Sequence, residues 1–165
     1  QTMKTCPKMK AIVFELCEKH GIDLQQERAH IRLDMPGFDR LCIERISGNA
    51  VSVAHCFEMN GDLVAEPDIV FFIDAQGYWI PVEITQSMTG WSRVVEFSED
   101  GTNIARFQRE RQADIAEFAE DWAQNLRDQA WLTNATRHVY EHEQVDDADD
   151  DLPPWDVEEE SDEHA

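Results

Sequence analysis

Apolar residues recur along the chain at two spacings, and the spacing separates helices from strands. Between Cys6-Pro7 and His20, Met9, Ile12, Val13, Leu16 and Cys17 fall three or four residues apart, which is one stripe of a helix. Pro7 suits a first turn, where its missing donor costs nothing, and Gly21 ends the run. From His30 the period changes to two: Ile31, Leu33 and Met35 alternate with Arg32 and Asp34, the mark of a half-buried strand. Pro36-Gly37 interrupts it, and Leu41 to Ile46 resumes as a second strand.

The segment from Ala50 to Asp74 organises the chain. Val51, Val53 and His55 point one way from a strand, and Ser52, Ala54 and Cys56 the other. Asn60-Gly61 supplies the positive φ angles of a tight reversal. The returning run, Ile69 to Ile73, is β-branched and aromatic without a polar break, so it is predicted to be an interior strand covered on both faces. If Ser47 lies opposite Ala50, an unbroken register sets Cys42 across from His55.

Further strands are predicted over Tyr78 to Ile84 and Ser92 to Phe97, with a bulge or a sheet edge at Pro81, which has no N–H to donate. A long helix follows between about Ala105 and Trp131, with Phe107, Ile115, Phe118, Ala119, Trp122 and Leu126 on one face. A single apolar stripe must lie on something, and the sheet is the available partner. The predicted fold is α+β: an antiparallel meander of five or six strands carrying an N-terminal and a long C-terminal helix.

Charge changes this picture at one end. Of the 35 Asp and Glu, 13 lie from His138 onward, where Lys and Arg are absent, leaving 22 against the 14 Lys and Arg of the body. The body therefore carries about −8 and the tail about −13 of the net −21. Residues 1–137 are read as one domain and 138–165 as an acidic, disordered tail, since such a run repels itself and buries little. A net-negative body without a Lys/Arg cluster argues against direct nucleic-acid binding. Four separated cysteines, no signal-peptide pattern and no apolar run of membrane-spanning length lead to the expectation of free thiols in a soluble, cytoplasmic protein.

The stretch LCIERISGNAVSVAHCFEMNGDLVAEPDIVFFID and the later FAEDWAQNLRDQAWL resemble an uncharacterised family, a domain of unknown function in short bacterial, plasmid-borne and phage proteins. The resemblance covers most of Met9 to Leu132. It implies one compact domain and a mobile-element context, and no chemistry.

Candidate chemistry is sparse. Cys42 and His55, with Cys56 and His30 near, have the atoms for a tetrahedral zinc site, but no second close-spaced ligand pair accompanies them, and no metal or cofactor is expected. His55 with Glu58, Asn60, Asp62 and Asp68, and Glu66 beside them, surrounds the Asn-Gly turn, where carboxylates and an imidazole can do acid–base work. Acidic residues also populate turns by default. Trp91, after Gly90, either folds back under the closing helix or stands out as a partner anchor; Trp79 and Trp122 are read as core.

In the tail, Asp149, Asp150 and Asp151 precede Leu152, Pro153, Pro154 and Trp155. This looks like the acidic C-terminal tip of bacterial single-stranded DNA-binding proteins, which docks on replication and repair partners, although here ten residues follow the tryptophan. The leading expectation is a non-enzymatic interaction protein whose acidic surface and tail engage a basic protein partner. The alternative is a small hydrolase or metal-dependent enzyme using His55 and the nearby carboxylates. A homo-oligomer, or a subunit of a larger assembly, would reveal itself by a large exposed apolar patch.

Overall fold

The computed structural model describes residues 2–138. Helix α1 (Pro7–Lys19) precedes β1 (His30–Asp34), β2 (Arg40–Ser47), β3 (Ala50–Met59), β4 (Asp62–Ile73), β5 (Trp79–Gln86) and β6 (Gly90–Arg93). A small hairpin of β7 (Val95–Phe97) and β8 (Ile104–Phe107) leads into α2 (Arg109–Asp128), the one-turn α3 (Trp131–Asn134) and β9 (Thr136–Arg137). Seven strands make one antiparallel sheet in the order β6-β5-β4-β3-β2-β1-β9, and β7 pairs with β8 apart from it. The predicted α+β meander is present as β1 to β6. The strand count is higher because β9 adds an edge and the β7–β8 hairpin stands separately.

Pairing fixes which side chains share a face. Ile31, Leu33, Leu41, Ile43, Val51, Val53, Ile69 and Phe71 occupy one face and are fully buried. All five predicted apolar residues of α1 are buried with them, as are Ile115, Ala119, Trp122 and Leu126 of α2, in one core. Each such aliphatic side chain stabilises the fold by roughly 1.5–3 kcal/mol through removal from water. The helices therefore cover this inner face, and the other face of the sheet is left largely to solvent.

Polar groups tie the two helices to the sheet. Cys6 offers no side-chain cap to α1; instead both oxygens of the Glu120 carboxylate accept from the first-turn amides of Lys8 and Met9, each at 3.0 Å. A carboxylate there also suits the positive end of the helix dipole. The Gln112 side chain, wholly buried, accepts from Lys4 N and donates to Lys4 O and Pro81 O. It clamps the N-terminal segment against β5, whose Trp79 carbonyl accepts from Cys6 N at 2.9 Å.

Bulges re-phase three strand pairs of the seven-stranded sheet. Asn60 and Gly61 take φ of 55° and 85°, the tight reversal expected of that dipeptide. Ser47 does lie opposite Ala50, but Ile46 is an extra residue, and the register beyond it sets Leu41 against His55 and Cys42 against Ala54. The predicted Cys42–His55 pair is thus corrected: a one-residue slip puts the two side chains on opposite faces. Between β3 and β4 the extra residues lie on β4, where Glu66 and Pro67 occupy the gap opposite His55. The bulge expected at Pro81 is found, with Phe71 facing Pro81 and Val70 facing Glu83.

Two further boundaries differ from expectation. The run Ser92 to Phe97 is broken at the buried Val94, so that β6 stays in the sheet while β7 leaves it. Phe107 belongs to β8 rather than to the long helix, which starts at Arg109, and Phe118 lies at the margin of the buried stripe. The departing hairpin closes over one end of the outer face, where Phe97 packs on Phe72 with ring centroids 5.4 Å apart.

Candidate functional site

His55 sits on the helix-covered face. Its Nδ1 is 3.2 Å from the Asp39 carbonyl and its Nε2 3.2 Å from Trp122 Nε1. An indole nitrogen only donates, so Nε2 accepts and Nδ1 carries the proton that goes to the carbonyl. The ring also packs against Trp122 and Trp131, at centroid distances of 5.2 and 5.8 Å. Burial pushes its pKa below the usual histidine value, against the opposing pull of the backbone bonds at Arg40 and Asp39.

His55 is therefore a neutral, doubly bonded wedge between sheet and helices. Because its folded pKa is depressed, the unfolded chain binds more protons below about pH 6.5, and the stability that His55 contributes above that value is lost as pH falls. Urea unfolding of His55→Gln should show lower stability than wild type at about pH 7 and a shallower decline toward about pH 5.

Of the predicted pocket only Glu66 comes near it, lining with Gly37, Phe38 and Asp39 an open cavity beside His55; the other members do not converge on it. Glu58 pairs with Leu63 beside the tip of the β3–β4 hairpin, and Asp62 flanks the Asn60-Gly61 turn. Asp68 lies on the outer face, six residues along β4 from Asp62, or about 20 Å of strand. Cys42 and Cys56 are on the outer face, away from His55. Among the described residues no three His, Cys, Asp or Glu side chains come together as a set able to hold a metal ion.

The outer face carries a second group of polar and ionisable side chains, half-buried at its centre and exposed at its edges. One row of partners crosses six strands as Arg32, Cys42, Ala54, Asp68, Thr85 and Trp91, and the neighbouring row as His30, Glu44, Ser52, Val70, Glu83 and Arg93. The middle is acidic: Asp68 lies among Ser52, Glu44 and Glu83. Ser52 Oγ donates to Asp68 Oδ1 at 2.7 Å. Burial raises the Asp68 pKa, the charges of Glu83 and Glu44 add to the rise, and the Ser52 bond only partly opposes it.

For a carboxyl with a raised folded pKa, the favourable contribution is full below the ordinary value of about 3.9 and is lost as pH rises through the folded value. At neutral pH the Asp68 charge therefore costs stability. Asp68→Asn, which keeps an acceptor for Ser52, should raise the unfolding midpoint at about pH 7 by the equivalent of less than about 1 kcal/mol. The gain should vanish below about pH 4.

At the β6 edge of this face stands Trp91, 59% exposed. It does not fold under the closing helix: it pairs with Thr85 in the Asp68 row, on the side of the sheet away from α2. Its Nε1 donates to Glu83 Oε1 at 3.0 Å, while Arg93 Nε and Nη2 donate to Glu83 Oε2 at 3.1 and 3.0 Å. The Arg93 guanidinium is also 5.9 Å from the Trp91 ring and 5.6 Å from that of Phe97. An exposed ion pair of this kind contributes at most about 1 kcal/mol; its larger effect is to hold the indole in one orientation.

Exposed Leu63 is on the same face near the β3–β4 tip, and Met88, also exposed, is in the β5–β6 turn at the same end of the sheet. Ser87 Oγ donates to Glu66 Oε2 at 2.7 Å and links the two hairpins. Asp149, Asp150, Asp151, Leu152, Pro153, Pro154 and Trp155 lie outside the described residues. His138, the first residue assigned to the tail, is still tied to the sheet: its amide donates to Arg32 O and its Nδ1 lies 2.7 Å from Asp34 Oδ2.

Sequence reasoning missed Gln112 and the outer-face grouping of Arg32, Asp34, Arg40 and His138. A polar residue inside the apolar stripe of α2 marked the first. The second needed the pairing of β9 with β1, for which a two-residue strand gives no periodic signal.

The chain belongs to the family described as Domain of unknown function (DUF6908), which matches residues 11–132. No curated protein and no solved structure matches the chain. Among the described residues no helix is long and apolar enough to cross a membrane.

Proposed function

We propose that this is a non-enzymatic interaction protein that engages a basic protein partner through the acidic outer face of its sheet and its acidic tail. The observation that carries this reading is Trp91, exposed yet fixed by Glu83 and Arg93 at the rim of a face whose centre holds Glu44, Asp68 and Glu83. Rigid, exposed tryptophans are favoured as interface anchors. Carboxylates around such an anchor steer a basic surface toward it, with a strength that falls as salt rises. They can also stand where phosphates would lie, so that the partner's own nucleic-acid site is occupied.

The enzymatic alternative is less well supported, because both His55 ring nitrogens are engaged, Glu58, Asp62 and Asp68 lie at the hairpin tip or on another face, and Glu66, which shares a cavity with His55, accepts from Ser87 instead. A mobile-element origin and a role in host DNA metabolism or defence extend the same proposal. The test is capture from host lysate at low and high salt, with the full chain beside a chain ending at Arg137. A partner retained at low salt, released by high salt and held more weakly by the shortened chain supports the proposal. Retention that ignores both salt and the tail contradicts it.

A further inference from the structure

The four cysteines divide into two classes. Cys6 and Cys17 are buried in the helix-facing core. Burial raises both thiols, Cys17 to about 11, and Cys6 further still with the Glu120 charge adding to it. Cys42 and Cys56 instead lie side by side on the outer face, on adjacent strands and diagonal to one another: Cys42 pairs with Ala54, and Cys56, two residues along β3, with Arg40. Arg32 is the partner of Cys42 on its other side, so the two thiols lie between two guanidinium-bearing positions. Cys42 is partly open to solvent and Cys56 is 7% exposed.

We propose that Cys42 and Cys56 form a peroxide-responsive dithiol on the outer face, which closes to a readily reduced disulfide. The two thiols are neighbours on the same face, and their interaction, with the Arg32 and Arg40 charges behind it, lowers the Cys56 pKa against burial and the Asp68 charge, while it raises that of Cys42. Cys56 is thus the attacking thiolate and Cys42 the resolving thiol. Flanking cations favour a thiolate and disfavour a bound metal cation, which selects oxidation over soft-metal capture.

In the first step the Cys56 thiolate attacks one peroxide oxygen. The S–O bond forms, the O–O bond breaks, and hydroxide leaves to become water with the proton Cys56 gave up. In the second step the Cys42 sulfur attacks that of Cys56. The S–S bond forms, the S–O bond breaks, and the departing hydroxide takes the Cys42 proton as water. The two sulfurs together lose two electrons and one hydrogen peroxide gains them. Diagonal cross-strand positions lie about 7–8 Å apart at Cα, beyond the usual disulfide span. Closure therefore draws β2 and β3 together, and a strained bridge of this kind is easily reduced.

The test treats the full chain with a stoichiometric amount of hydrogen peroxide and reads intact mass and non-reduced tryptic peptides. Cleavage at Arg40, Arg45 and Arg93 puts Cys42 and Cys56 on different peptides. The wild type should lose the mass of two hydrogens, join those two peptides, and recover with a mild dithiol. The bridge should form at least about tenfold faster than any change at Cys6 or Cys17. Cys42→Ser should leave a sulfenic acid at Cys56 that dimedone traps, and Cys56→Ser should react about tenfold more slowly than wild type. Oxidation beginning at Cys6 or Cys17, a sulfenic acid at Cys56 that persists beside an intact Cys42, or four unmodified thiols would each overturn the proposal.

Discussion

Trp79→Ala is expected to destabilise the fold by about 3–5 kcal/mol, the cost of emptying a large aromatic site in a core that closes only in part around the gap. Trp79 is 1% exposed and packs against Phe14 of α1 and Phe71 of β4, with ring centroids 5.8 and 5.4 Å away. It joins helix to sheet, and its own carbonyl receives Cys6 N from the segment entering α1. The cavity thus opens where three parts of the chain meet, far from solvent. Domains of this size are stable by about 5–15 kcal/mol in total, so a large share of the stability disappears. Thermal unfolding should show a midpoint lower by about 10 °C or more, or a chain unfolded at about 37 °C. A fall of only one or two degrees would mean that Trp79 is not the keystone of this layer.

Trp91→Ala is expected to have the opposite profile, leaving the fold nearly unchanged while weakening capture of a basic partner by about 2–4 kcal/mol, or roughly 30- to 1,000-fold in affinity. Trp91 is exposed on an edge strand, so its removal opens no cavity, and its contacts to Glu83 and Arg93 are surface contacts worth little to stability. Its value to a partner lies in the large, oriented apolar surface. Trp91→Phe keeps the ring and loses the Nε1–Glu83 bond, and should fall between wild type and alanine. Titration of the captured partner with the three proteins, beside their melting curves, separates the binding effect from a folding effect. Equal affinities for all three would remove Trp91 from the interface.

Helix α1 was legible almost completely, because a 3.6-residue stripe between Pro7 and Gly21 needs no tertiary information. The β3–β4 hairpin was legible for a similar reason, since Asn60-Gly61 specifies its own turn. Register was not. Whether Ile46, Val82 or the Glu66-Pro67 pair is looped out depends on which side chains the opposing layer will accept, and periodicity is silent on that choice. A single extra residue at Ile46 moved Cys42 away from His55 and brought Cys56 beside it, which changed the chemistry that the same two strands can perform. The function of His55 was equally hidden: its partners Asp39, Trp122 and Trp131 are distant in sequence, and only the packed layers show that both ring nitrogens are engaged.

The position of Trp91 depended on the same kind of information. Its sequence neighbourhood fits a loop that tucks under a helix as well as an edge strand that faces away. The pairing of Thr85 with Trp91 decides between them. The acidic centre of the outer face is likewise assembled from three strands, with Glu44, Asp68 and Glu83 more than a dozen residues apart.

The proposed interface is tested most directly by amide hydrogen exchange of the full chain with and without its captured partner. Added protection in β5 and β6 around Gly90–Arg93 and in the acidic tail, relieved by high salt, is the predicted footprint. Protection confined to α1 and α2, on the opposite side of the sheet, would contradict it.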